Sequence, residues 1–453
     1  MTLPTPEAER VSLKRVIGPK LLVLFIIGDI LGTGVYALTG KVAGKVGGAL
    51  WMPFLLGFVI ALLTAMSYVE LVTKYPRAAG AALYTQRAFR RPFLTFMVAF
   101  AVMCSGLTSA SAAARAIGGD YLKAFVTVPG VAVGVVFILA IALLNYRGVS
   151  ESVKTNIVFT LIELTGLVVI IAIGVYAVAT GAGEPARLTE VRTDQAGGLL
   201  LALLGSTALA FFAFVGFEDS VNMAEETENP SRNFPRAIFL GVAITSTIYI
   251  LVALTSSLLV DYRVLEKSSG PLLEVVKAGG ISFPPQLFAA IAMFAVANSA
   301  LINMMMASRL VYGLARERVV PGALGWVDPR RRTPVVGIIF TTALAVALVS
   351  TGEIAGLGDT TAFLLLCVFT VVNVAVLVLR RDTVEHSHYR TPTVLPVIGA
   401  VLAFVLASPL TGRPAEVYIR AGVLLGIGLV LWVINWLVTR RQAPATGAEP
   451  GRN

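Results

Sequence analysis

The chain has 453 residues, of which 57% are hydrophobic and only 14% charged, and its formal net charge is +10. Soluble chains carry about a quarter charged residues, and one with this much apolar side chain would expose large sticky patches. The solvent this sequence is written for is therefore itself apolar, which excludes an ordinary soluble enzyme or binding module.

Charge-free or nearly charge-free runs recur along the chain at 21–38, 46–69, 93–114, 124–146, 155–183 and 195–217, then at 237–260, 278–308, 333–352, 360–379, 391–412 and 421–439. About 20 apolar residues cross a bilayer as a helix, so the pattern predicts an all-α membrane protein with twelve transmembrane helices. Further spans follow the first at once and no small-residue cleavage site is evident, so it reads as a helix and not as a signal peptide. With the N-terminus cytoplasmic, the inward-facing segments hold 25 of the 36 Lys and Arg residues and the outward ones 10, with Arg115 left inside the third span. This is the positive-inside pattern, and it puts both termini in the cytoplasm of a multi-pass cell-membrane protein. It also accounts for the net charge through anionic lipid, without nucleic acid.

The division that follows is a tail at 1–20, one transmembrane domain at 21–439 and a second tail at 440–453, both tails expected to be disordered. The two histidines, His386 and His388, share a polar stretch, and Cys104 and Cys367 lie in separate apolar runs. No histidine-rich metal site or disulfide framework is expected, and no cofactor. GxSxG, HExxH, P-loop and haem motifs are all lacking, so the expectation is neither an enzyme nor an ATP-driven pump.

The first run, LLVLFIIGDILGTGVYAL, carries Gly28, Asp29, Gly32, Thr33 and Gly34 in its middle. Each glycine weakens a helix by about 1 kcal/mol relative to alanine, so this helix should unwind mid-membrane. The sixth run meets glycine and acid at Gly216, Phe217, Glu218 and Asp219. Irregular backbone at membrane depth survives only where it lines a cavity or is buried in protein. Two such breaks, five spans apart, point to a secondary transporter with a repeated core. A unit with an odd number of spans inserts its second copy upside down. The expected architecture is thus a 5+5 inverted repeat (about 21–183 and 195–379) with two extra helices at 391–439.

Unwinding at Gly32–Gly34 frees backbone N–H groups that suit a carboxylate, and the carbonyls around Ile27 and Ile30 suit an ammonium. Ionisable groups at membrane depth mark function by default, which singles out Asp29 and also Glu163, the only charge in 155–183.

The strings GDILGTGVY (28–36), YPRAAGAALY (75–84), FFAFVGFEDSVNMAEETENPSRNFPRAI (211–238) and ASRLVYGLARERVVP (307–321) resemble the amino acid–polyamine–organocation superfamily of permeases. The likeness runs from about Ser12 to Arg441. It implies the leucine-transporter fold and transport of amino acids or related amines, by proton or sodium coupling or by exchange. It places Gly32, Thr33 and Gly34 at the substrate carboxylate and the Ile30 carbonyl at the amine, with carbonyls near Phe212 and Val215 completing the amine site. It makes Phe212 an aromatic gate and Glu218 an acid that responds to protonation. The sequence departs from several proton-coupled members at Glu163, where they carry a lysine. Two readings of Glu163 stand, proton carrier or structural pin; Asp29 is the second coupling candidate, and Arg115 either pairs with an acid or snorkels. Asp29, Glu163 and Glu218 favour a cationic side chain or polyamine, whereas Phe212, Phe214, Met304 and Met305 suit an apolar one. Expected partners are a small-molecule amino acid, protons and the lipid bilayer, with no nucleic acid. A channel, an intramembrane enzyme and a transport-inactive sensor are the competing classes. Missing filter loops and missing nucleophile–base pairs count against the first two, and short tails against the third.

Overall fold

The structure, a computed structural model, describes residues 17–442 apart from 78–79, 148–151, 193–197, 282, 317–319 and 332. The expected tails therefore fall mostly outside the described residues. Ile17 does not behave as tail: it is buried, donates its N–H to the Glu226 carbonyl and accepts from the N–H of Glu228.

Within the described residues the chain is helical, with no strand. The first interrupted span is α1 (Pro19–Ile30) and α2 (Thr33–Val46), followed by α3 (Trp51–Lys74), a short α4 (Gly80–Phe89), α5 (Pro92–Ala116), α6 (Gly130–Arg147) and α7 (Ser152–Thr180). Then come α8 (Gly198–Ala210), α9 (Pro230–Leu259), the short α10 (Tyr262–Lys267) and α11 (Pro271–Ala278), and α12 (Pro285–Arg316). The chain closes with α13 (Val335–Thr351), α14 (Ile354–Leu379), α15 (Val394–Ala407) and α16 (Ala415–Gln442). Proline opens α1, α5, α9 and α11, where its fixed φ suits the first turn and its missing N–H costs nothing.

Among the described residues, nine stretches of helix are long and apolar enough to cross a membrane, and Gly198–Phe214, Val335–Thr351 and Val394–Ala407 are apolar but shorter. Each falls on one of the apolar runs, but the ends differ for physical reasons. Gly47, at φ 90°, turns the chain out of α2, so α3 starts later than run 46–69. It then continues through Lys74, whose ammonium is satisfied by the carbonyls of Leu379 and Asp382. The helix expected at 360–379 starts at Ile354 instead, because Asp359 is neutralised by Lys45 and Arg413 and need not stay outside. The run 278–308 divides at Pro285, separating α11 from α12.

Burial separates core from rim. In Pro19–Val46, 72% of the most apolar window is buried against protein, compared with 22% in α6 and 17% in α16, so the interrupted span is central and those two face outward. α5 packs on α12 and α14, α3 on α9, and α1 on α9 and α7. At one end of the bundle Arg380 grips Glu70 through two hydrogen bonds of 3.0 and 2.9 Å, and Glu70 also accepts the Thr391 N–H at 2.8 Å. A buried ion pair supplied with this many hydrogen bonds offsets its desolvation and ties α3 to α14 and α15.

Candidate transport site

In the first and sixth apolar runs the α-helix is not continuous. α1 ends at Ile30, and the backbone re-enters a helix at Thr33 through Gly32, at φ 134° and ψ −140°. No side chain caps α2, so its first N–H groups, at the positive end of the helix, are not taken up by a capping side chain. α8 gives way to a tight 3₁₀ turn at Phe211–Phe214, an extended Val215 and Gly216 at φ 131°. Ser220–Glu226 continue as 3₁₀ turns before α9. An L side chain is strained at either φ, which is why each break turns on a glycine.

The two breaks meet. A Cβ placed on Gly216 would lie 2.5 Å from the Asp29 carbonyl oxygen, and one on Gly34 would lie 2.4 Å from the Ala213 Cα. Backbone touches backbone at both points, so the expected site residues Ile27, Asp29, Ile30, Gly32, Thr33, Gly34, Val215 and Glu218 gather at one crossing. Their groups are not equally free. The Ile27 carbonyl accepts the Leu31 N–H at 2.9 Å, and the Ile30 carbonyl accepts the Tyr249 hydroxyl at 2.7 Å, each keeping its second lone pair. Thr33 Oγ1 and Asp29 Oδ2 are buried with no hydrogen-bond partner among the described residues.

Glu163, on α7, reaches the first break. A Cβ on Gly32 would lie 3.9 Å from Glu163 Oε1 and 3.1 Å from Ser299 Cβ of α12. Neither carboxyl oxygen of this buried residue has a partner among the described residues, although its backbone carbonyl accepts the Tyr36 hydroxyl at 2.8 Å. Glu218 is also buried, but it is engaged: Oε2 accepts the Gly216 N–H at 2.8 Å and so braces the second break. Two cavities of about 20 Å³ each flank Glu218 and Asp219. One of them is lined by Val215, Asn303 and Met306. Phe214 stacks on Tyr249 and Phe54 rather than lining that cavity, and Phe211 stacks on Phe369; Phe212 has no ring contact among the described residues. Arg115 makes no ion pair among the described residues.

Sequence reading missed Tyr249, Tyr36 and Ser299. A signal existed for the tyrosines, since a phenol within an apolar run needs a partner for its hydroxyl. Their partners are backbone carbonyls far away in the chain, which no local pattern reveals.

A permease-family match and relatives named as transporters make this a membrane transporter and not an enzyme. The chain belongs to the amino acid permease family, whose model matches residues 17–431. It is 27% identical to an uncharacterized transporter of Mycobacterium tuberculosis over 98% of this chain and 96% of the other. It is 27% identical to a branched-chain amino acid permease of Bacillus subtilis over 93% of each chain. It is 30% identical to a vacuolar cationic amino acid transporter of Arabidopsis thaliana over 79% of this chain and 62% of the other.

Proposed function

We propose that this permease is a secondary active transporter that moves amino acids across the cell membrane by alternating access, driven by protons. The observation that carries the reading is the contact of the two breaks, with the uncapped N-terminal end of α2 and the Asp29 and Ile30 carbonyls close by. A zwitterion is held there by its two ends: the carboxylate at Gly32, Thr33 and Gly34, the ammonium at the carbonyls of Ile30 and Val215. Phe212 covers the substrate. Glu163 and Asp29, with their unpartnered buried oxygens, carry the proton, and Glu218 holds the second break in shape. The chain crosses the membrane twelve times as a 5+5 inverted repeat with α15 and α16 outside it, both termini cytoplasmic. The end of the bundle where α2 finishes is then the outer end. The names of the relatives, one branched-chain and one cationic, support amino acids as the substrate class.

The test is uptake into proteoliposomes of radiolabelled leucine, lysine and other amino acids, with and without an imposed inward proton gradient. Accumulation only with the gradient is the expected result. Strict one-for-one exchange indifferent to pH would replace the coupling half of the proposal with an exchanger, and no flux of any amino acid would overturn it.

A further inference from the structure

At the outer end of the bundle, between the close of α2, the starts of α8, α14 and α16 and the turn before α16, lies an open cavity of about 600 Å³. It is far larger than the spaces at the helix breaks and shares none of their residues. Five charged side chains line it: Lys45, Glu353, Asp359, Glu416 and Arg420.

These charges fall into two groups. Asp359 is neutralised within the protein: Lys45 Nζ stands 3.4 Å from one oxygen and Arg413 Nε 3.4 Å from the other. Arg413 is buried, with a further N–H on the Leu406 carbonyl, so this group holds the cavity floor together. The other three have no ion-pair partner among the described residues. Arg420 donates only to neutral acceptors, the Gly356 carbonyl at 3.0 Å and the Thr360 hydroxyl at 3.1 Å. A Cβ at Gly356 would stand 3.2 Å from its Nη1, so the glycine clears the seat in which the guanidinium lies. Glu353 precedes α14 without capping it, and Glu416 lies in the first turn of α16. Neither carboxylate has a hydrogen-bond partner among the described residues. Scattered surface carboxylates are ordinarily just solvated. Here two of them share one concavity with a positioned, half-satisfied guanidinium, and the volume is in the range of small-ligand sites.

We propose that this outer cavity is a second binding site, for a small zwitterion: an ammonium held by Glu353 and Glu416, and a carboxylate or phosphate held by Arg420. Two sources offer that chemistry, a free amino acid and the headgroup of phosphatidylethanolamine. The lipid has an apolar wall beside the cavity, because Leu200 and Ile419, next in sequence to the lining residues Leu201 and Arg420, are 69% and 63% exposed. An occupant would bridge α16 to α14 and, through Lys45 and α8, to the outer halves of both interrupted helices. That consequence for transport rests on the proposed function; binding itself does not.

The test separates the two sites. In Gly32→Leu protein the side chain fills the space claimed for the transported carboxylate, so binding there is expected to be lost. Purified Gly32→Leu protein in phosphatidylglycerol nanodiscs is titrated with L-lysine and L-leucine by calorimetry. Saturable binding should persist, and adding Glu353→Gln and Glu416→Gln should weaken it about tenfold or more, the worth of a charge-assisted hydrogen bond. If neither amino acid binds, phosphatidylethanolamine is titrated into the same nanodiscs. A rise in melting temperature in Gly32→Leu that is absent in the triple variant makes the lipid the occupant. Should Gly32→Leu not fold, the parent and its Glu353→Gln/Glu416→Gln form are compared, with amino acid stoichiometry expected to drop from two to one or the lipid-induced rise to vanish. Neither response, or equal responses with and without the two glutamates, overturns the outer site. Uptake by the parent reads the transport proposal separately, so the two fail independently.

Discussion

Gly216→Ala places one methyl group where the two interrupted helices touch. The backbone there stands at φ 131°, a region costing an L residue about 1–3 kcal/mol. The new Cβ would also sit 2.5 Å from the Asp29 carbonyl oxygen, with the Ile30 nitrogen at 2.9 Å. Carbon–oxygen contacts are ordinarily about 3.3 Å or longer, so the breaks must part by roughly 0.8 Å. The obstruction is backbone, which cannot rotate aside as a side chain would. A displacement of about 1 Å in a binding constellation costs on the order of a hundredfold in rate, so amino acid uptake should fall to about one per cent of the parent. Gly181→Ala is the control: its φ of 69° is also positive, but nothing lies within 4 Å of the added carbon. It should cost about 1 kcal/mol of stability and leave uptake intact. Uptake into proteoliposomes and thermal unfolding in nanodiscs would be measured for both variants. If Gly216→Ala behaves like Gly181→Ala in both assays, the breaks do not form the transport site.

Tyr249→Phe removes the donor to the Ile30 carbonyl; a buried hydrogen bond in a membrane protein is worth about 0.6–1.5 kcal/mol, so the melting point should fall slightly and substrate affinity about threefold. No change in either would show that the phenol does not position that carbonyl. Phe211→Ala opens a cavity against Phe369 and should cost about 3–5 kcal/mol of stability, whereas Phe212→Ala should lose selectivity at a smaller cost. Competition assays and melts distinguish them, and matched profiles would make Phe212 ordinary packing. Glu163→Gln should keep substrate binding and exchange while losing accumulation driven by an imposed pH gradient. Accumulation equal to the parent's would make Glu163 a structural residue and move coupling to Asp29 or out of the mechanism.

The apolar runs were legible because hydrocarbon imposes a length and a polarity on any helix that crosses it, a constraint that acts residue by residue. The glycine-and-acid positions in the first and sixth runs stood out for the same local reason: both residue types are costly inside such a run. Locality also set the limit. Counting charges could not show that Asp359 belongs inside a helix, since its neutralising partners, Lys45 and Arg413, lie far away in the chain. Nor could it find Tyr249 or Tyr36, whose hydroxyls serve carbonyls of other helices. The sequence named Gly32, Gly34 and Gly216 as places where the backbone can yield. Only the packed bundle decided that Gly216 abuts Asp29, that Gly34 abuts Ala213 and that Glu163 reaches Gly32. Those contacts are set by how whole helices pack, and helix packing is fixed by the sum of all their faces rather than by any one residue.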